Sequence, residues 1–226
     1  MVPSTPVHVL RAAAPRGGVV LVGEAFGPDD ALRSWADALV HARYDVAIPD
    51  LWWRSGGPPP REGVDAVRDA VARLSDFEAL ADIAAARDRL SHERPKFVLG
   101  FCIGGLYARL AACVTPGLTG AVEFYGRIRY GALSANKPAQ PLDLLPGLAC
   151  PLLAHFGDAD PIAPRDQVEE LRRRLEPLVP CSLVHLYPGC GHAFMNDATP
   201  AWNPAAARTA WSRSVAFLDH LSAAAG

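Results

Sequence analysis

The sequence has no apolar run approaching the ~20 residues needed to span a bilayer, and no excess of charge of either sign. Lys and Arg number 22 and Asp and Glu 24, a formal net charge of −2. That balance leaves no basic field to hold nucleic acid and no acidic block of the kind that solvates a tail. Cysteine is sparse, with five residues at positions 102, 113, 150, 181 and 190. An odd number in a chain of this size is no disulfide framework and points to a reducing, cytoplasmic setting. The stretch before Gly17 lacks an uninterrupted apolar segment followed by a small-residue cleavage site, so no secretory signal is expected. P-loop, Rossmann glycine and kinase signatures are missing too. Cys190-Gly-His192 is close-set, but no second Cys/His pair completes a zinc site. No metal or cofactor, no nucleic acid and no membrane partner is expected.

What is present suits one α/β domain over residues 1–226, acting as a monomer or small homo-oligomer. Half of the 226 residues are hydrophobic and a fifth are charged, enough to build a sizeable core. Short β-rich runs alternate with Ala/Arg/Leu-rich stretches, the pattern of a parallel sheet with helices on both faces. The runs read as strands are 7–10, 18–23, 44–49, 96–101, 120–124, 151–156 and 181–186. Several are apolar on both faces, as strands covered from two sides should be. Helices are expected over 29–42, over 64–90 with a break where Ser75 caps a second helix, and over 103–113, 164–175 and 204–224. In the last, Ala207, Trp211, Ser214, Val215 and Leu218 recur at helical spacing, which predicts a stripe docked on the sheet. Residues 54–60, rich in Gly and Pro, read as an exposed loop. Residues 127–148 are long for a connection, the sort of segment that forms a lid or a local excursion.

The sharpest motif is Gly100-Phe-Cys102-Ile-Gly104-Gly105, lying between an apolar strand and a helix-forming stretch. Gly-x-nucleophile-x-Gly at a strand-to-helix turn is the nucleophile elbow, in which side chains flanking the nucleophile would collide with neighbouring elements. Cys takes the usual place of Ser, and a thiolate at a helix N-terminus is stabilised by free backbone N–H groups. The bland alternative is a small buried Cys at a Gly-rich strand end. A nucleophile needs a base, and the base an orienting group. In the order nucleophile, acid, histidine, the loop after 151–156 offers Asp158 and Asp160, and the loop after 181–186 offers His192 in a Gly-rich setting. Either carboxylate could instead cap the helix near Pro164. Gly-x-Cys-x-Gly also occurs in glutamine amidotransferases, but a Glu would then follow the His by two residues, where Phe194 stands.

Together with Gly23-Glu24-Ala25-Phe26-Gly27 and Phe124-Tyr125-Gly126, these motifs resemble the dienelactone hydrolase family of α/β-hydrolases, from about residue 7 to the C-terminus. The resemblance implies an α/β-hydrolase fold and hydrolysis of a small-molecule ester or lactone through an acyl-enzyme. It assigns Cys102 as nucleophile, His192 as base and Asp160, rather than Asp158, as orienter. It assigns Glu24 a part in generating the thiolate, a role that a raised pKa in a dry pocket would suit; Glu24 could also be merely an acid near a helix start. The oxyanion hole would be formed by the backbone N–H of Ile103 and, by resemblance, of Ala25. Family members that bind a substrate carboxylate do so with arginines, one of them four residues after the histidine. Here that position is Asn196, and none of Arg61, Arg68 or Arg73 can be registered to a second. Trp52 and Trp53, at the end of the third strand where such sheets bind ligands, could wall an acyl pocket or equally pack in the core. Tyr125 and Arg127 stand at another strand end and are candidates for the same crevice. The alternative to an enzyme is a hydrolase-fold binding module whose thiol does not turn over.

Overall fold

A computed structural model of the protein describes residues 4–61 and 64–225. The first three residues of the N-terminal stretch read above for a leader lie outside it. Within the described residues seven strands form one sheet: β1 (Val7–Leu10), β2 (Gly17–Val22), β3 (Tyr44–Pro49), β4 (Lys96–Phe101), β5 (Gly120–Phe124), β6 (Leu152–Gly157) and β7 (Leu183–Tyr187). Their spatial order is β1-β3-β2-β4-β5-β6-β7. Only β1 runs antiparallel, pairing Val7 with Pro49; the other pairs are parallel. Among the described residues six helices accompany them: α1 (Asp30–His41), α2 (Val64–Arg73), α3 (Asp76–Arg87), α4 (Ile103–Val114), α5 (Arg165–Leu175) and α6 (Pro204–Ala224). This is the α/β-hydrolase architecture.

The doubly apolar strands divide their side chains between two cores. Val19, Leu21, Leu99 and Phe124 face α1 and α6, packing with Leu32, Leu39, Ala207 and Leu218. Val20, Val22, Val98 and Ala154 face α3, α4 and α5, packing with Ile83, Leu110 and Leu171. The sequence therefore shows no alternation, because each face is covered. The break in the long Ala/Arg stretch falls at Ser75, whose hydroxyl accepts from the Glu78 N–H. The strand predicted over 181–186 begins only at Leu183, since Cys181 sits at φ +67°, incompatible with an extended strand. Likewise β6 starts at Leu152, after Pro151, which has no N–H to give the ladder.

Phe101 and Phe124, the last residues of β4 and β5, and His155 and His185, two residues before the ends of β6 and β7, are paired in register across the four strands. Their rings stack at centroid separations of 4.7, 4.8 and 5.5 Å. Trp35 of α1 and Trp211 of α6 extend the row beyond Phe101, and lie 4.5 Å from each other.

Residues 127–148 do not hang free. Buried Lys137 donates to Asp76 at 2.8 Å and to the Tyr107 hydroxyl at 2.7 Å, and Tyr130 donates to the same carboxylate. Asp76 N–H in turn donates to the Asn136 carbonyl, and a short 3₁₀ helix, Pro141–Gly147, returns the chain to the core. The segment is thus latched to the junction of α2 and α3.

Candidate active site

The strand order reverses between β2 and β4: β2 leads to β3 on one side, and β4 leads to β5 on the other. A crevice opens at such a switch point, beyond the C-terminal strand ends. Glu24 follows β2 and Cys102 follows β4, so the topology itself brings these two residues beside one another.

Cys102 is forced into place by its neighbours. It has φ +55° and ψ −115°, a conformation that costs a non-glycine residue about 1–3 kcal/mol. A β-carbon on Gly100 would fall on the Gly104 carbonyl, and one on Gly104 would fall on the carbonyls of Val22 and Gly23. The elbow can therefore close only against bare backbone, which draws the start of α4 onto the end of β2. The amides of Ala25 and Ile103 donate to no backbone acceptor among the described residues, and Ile103 opens α4, where N–H groups lack helical partners.

The Cys102 thiol lies 3.1 Å from His192 Nε2, and His192 Nδ1 lies 2.8 Å from Asp160 Oδ2. The other Asp160 oxygen accepts from the N–H groups of Ile162 and Ala163, which fixes the carboxylate in its loop. Asp158 is occupied differently: it accepts from Gly189 N–H at 2.7 Å and so braces the loop that carries His192. His192 itself is followed by Ala193 at φ +62°. Burial alone would push the imidazole down. The Cys102 charge, the hydrogen bonds that the ring donates to Asp160 and Cys102 and the Asp160 charge outweigh it and hold His192 up at about 10.

Glu24 is enclosed by two neutral donors. Tyr125 OH donates to Oε1 and the Asn196 amide to Oε2, both at 3.0 Å. Burial, the largest influence, raises its pKa despite those bonds and the nearby His192. Behind it lies a chamber of about 10 Å³ lined by Asp29, Leu32, Trp35, Phe101 and Tyr125 among others, room for about one water molecule.

Of the residues marked from sequence, Cys102, Asp160, His192, Glu24, Ala25, Ile103 and Tyr125 gather at this switch point. Tyr125 is fully buried, its ring edge-on to His192 at 5.1 Å. Trp52 packs in the core with Leu51, Leu74 and Ile103. Trp53 is half-buried, its indole N–H 3.4 Å from Asp82 and its ring under the Arg54 guanidinium. Arg127 is half-buried beyond Gly126, and its carbonyl accepts from Arg109. Arg61 pairs with Asp29 and covers Phe26, while Arg68 pairs with Asp65 on its own helix. Asn196 entered the sequence reading only as a departure from an arginine. Its partner lies 172 residues away, beyond the reach of any local pattern.

The dienelactone hydrolase family model matches residues 6–222. A carboxymethylenebutenolidase of Rhodococcus opacus is 31% identical over 221 residues, which cover 95% of this chain and 86% of that one. Among solved structures, a Klebsiella pneumoniae subsp. pneumoniae MGH 78578 protein assigned as a dienelactone hydrolase superposes with a TM-score of 0.85. It is 30% identical and covers 94% of this chain and 92% of its own. A dienelactone hydrolase-like phosphotriesterase from metagenomic libraries shares the fold, with a TM-score of 0.74 at 16% identity and 97% and 99% coverage. The chain belongs to the dienelactone hydrolase family, enzymes that hydrolyse lactones.

Proposed function

We propose that this protein hydrolyses a small ester or lactone by acyl transfer to Cys102 and then to water. The observation that carries the reading is the unbroken line of contacts from Cys102 through His192 to Asp160, 3.1 and 2.8 Å long, within hydrogen-bond reach of nucleophile, base and orienter. The Cys102 thiolate attacks the carbonyl carbon, and the amides of Ile103 and Ala25 receive the oxyanion. Collapse breaks the acyl–oxygen bond, leaving a thioester on Cys102, and the His192 imidazolium gives its proton to the departing oxygen. In a lactone that oxygen stays tethered to the acyl chain. His192, now neutral, takes a proton from water as the water attacks the thioester, and the acid is released with the thiolate restored. Asp160 keeps the Nδ1 proton in place throughout. Glu24 acts before attack by taking the thiol proton of Cys102 on a carboxylate whose pKa burial raises, while His192 keeps its own proton.

The test is intact-mass and product-burst kinetics with p-nitrophenyl acetate, comparing wild type with Cys102→Ala. Repeated turnover that disappears in the variant is the expected result. A persistent single adduct on Cys102 would argue for a reactive thiol that does not deacylate this ester. No adduct and no Cys102-dependent turnover would overturn the hydrolase reading in favour of a binding module.

A further inference from the structure

Behind the site, α4 and β5 enclose a charge pair for which the chemistry above has no use. Arg109 and Glu123 are both wholly buried. Arg109 lies two turns along α4 from Cys102, and Glu123 lies two residues before Tyr125. The guanidinium is split between two acceptors: Nη1 donates to Glu123 Oε1 at 2.6 Å and Nη2 to the Arg127 carbonyl at 2.5 Å. Its Nε and the second Glu123 oxygen have no partner among the described residues. A buried pair this incompletely bonded is a poor device for stability alone, because desolvation offsets much of its attraction.

Its two anchor points bracket a strained piece of backbone. Between Glu123 and Arg127 the chain turns through Tyr125 at φ +41°. At Gly126 a β-carbon would fall against the Leu106 amide and the Glu123 carboxylate. Tyr125 leaves that turn with its hydroxyl on Glu24 and its ring edge against His192 and Phe194. Its N–H donates to the His155 carbonyl at 2.8 Å, which secures the near side of the turn. On the far side, the Arg127 carbonyl is held by Arg109.

We propose that Arg109 is a positioning residue for the reacting groups: by binding Glu123 and the Arg127 carbonyl together, it fixes the turn that presses Tyr125 against Glu24 and His192. This rests on the reading of Cys102, His192 and Glu24 as the reacting set. Lysine in its place would keep the charge. With one nitrogen on a flexible stem instead of a rigid fork, it cannot span both acceptors in the same geometry. The turn would slacken, and His192 would drift from the thiol it contacts.

The experiment measures the second-order rate of Cys102 alkylation by iodoacetamide at pH 7.5, followed by intact mass, so that no substrate need be known. Arg109→Lys should slow alkylation by about tenfold, the scale of a small misplacement of a reacting group, with a cooperative urea transition retained. Tyr125→Phe should slow it comparably, and the double variant should be no slower than the slower single one, since both act through one turn. A wild-type rate in folded Arg109→Lys, or losses that multiply in the double variant, would overturn the proposal. Should Arg109→Lys fail to fold, Arg109→Met with Glu123→Leu removes both charges and leaves neither orphaned; it should fold and show the same slow alkylation, and a wild-type rate there would be equally fatal. Absence of Cys102-dependent ester turnover in the wild type, by contrast, would bear on the hydrolase reading and not on the role of Arg109.

Discussion

His192 illustrates how much of the site depends on its partners rather than on the residue. Burial disfavours its charge, yet Cys102 and Asp160 beside it hold it up at about 10. A histidine raised in this way contributes stability that is fully present below its unfolded value near 6.5 and is lost as pH rises through about 10. NMR titration of wild type should find the His192 ring still protonated at pH 8. In Cys102→Ala, where two of its supports are gone, the midpoint should fall by at least about one unit; an unchanged midpoint would mean that Cys102 does not hold the charge. At this scale the sequence singled out residues that the structure brings into contact, as at Cys102, His192 and Asp160. It was silent about Asn196 and Arg109, whose roles come from partners on other elements. An amide four residues after a histidine, or an arginine in an apolar helix, carries no local mark of what it touches.

The elements explain why the motif glycines are where they are. Gly104 meets the backbone of β2, which cannot swing aside as a side chain can. Gly104→Ala should therefore cost more than the ~1–3 kcal/mol typical of overpacking, read as a lowered urea midpoint; a cost under about 1 kcal/mol would show that α4 can slide. The latch on residues 127–148 is a second element-scale device. Lys137→Met leaves the Asp76 carboxylate buried with only its tyrosine donors, and losing one partner of such a pair typically costs about 3–5 kcal/mol. Adding Asp76→Asn should recover part of that loss; if the double variant is as unstable as the single, the cost lies in lost packing instead. Strands were legible because each is short and apolar, and helices because caps and Gly or Pro bound them, as at Ser75; the widest miss is the end of α3, at Arg87 rather than Leu90. The latch was not, since nothing in a Pro- and Gly-rich stretch announces that its single lysine is buried. Length alone suggested either a lid or an excursion.

Across the whole molecule, one sheet couples chemistry at its upper edge to helices on both faces. His155 sits at the centre of that arrangement, fully buried. Its Nε2 lies 3.1 Å from Ser214 Oγ, whose own proton goes to the Ala210 carbonyl, and its Nδ1 lies 2.9 Å from Tyr187 OH. These partners suit a neutral ring, and burial first, then His185 and Arg213, keep its pKa well below the usual value. The unfolded chain binds a proton there that the folded chain refuses. Stability should therefore rise as pH climbs toward 6.5, by up to about 1.4 kcal/mol per pH unit for one proton. Urea midpoints between pH 5 and 6.5 should show this slope in wild type and a shallower one in His155→Gln; equal slopes would place the acid sensitivity elsewhere. The same row of rings has an optical consequence. Trp35 and Trp211 touch only because α1 and α6 dock side by side on one face. Indoles 4.5 Å apart couple their electronic transitions, so the folded protein carries a circular-dichroism couplet that neither helix can produce alone. Its disappearance ahead of the backbone signal during denaturation would show these two helices leaving before the sheet dissolves, which makes the pair a built-in clock for the order of unfolding.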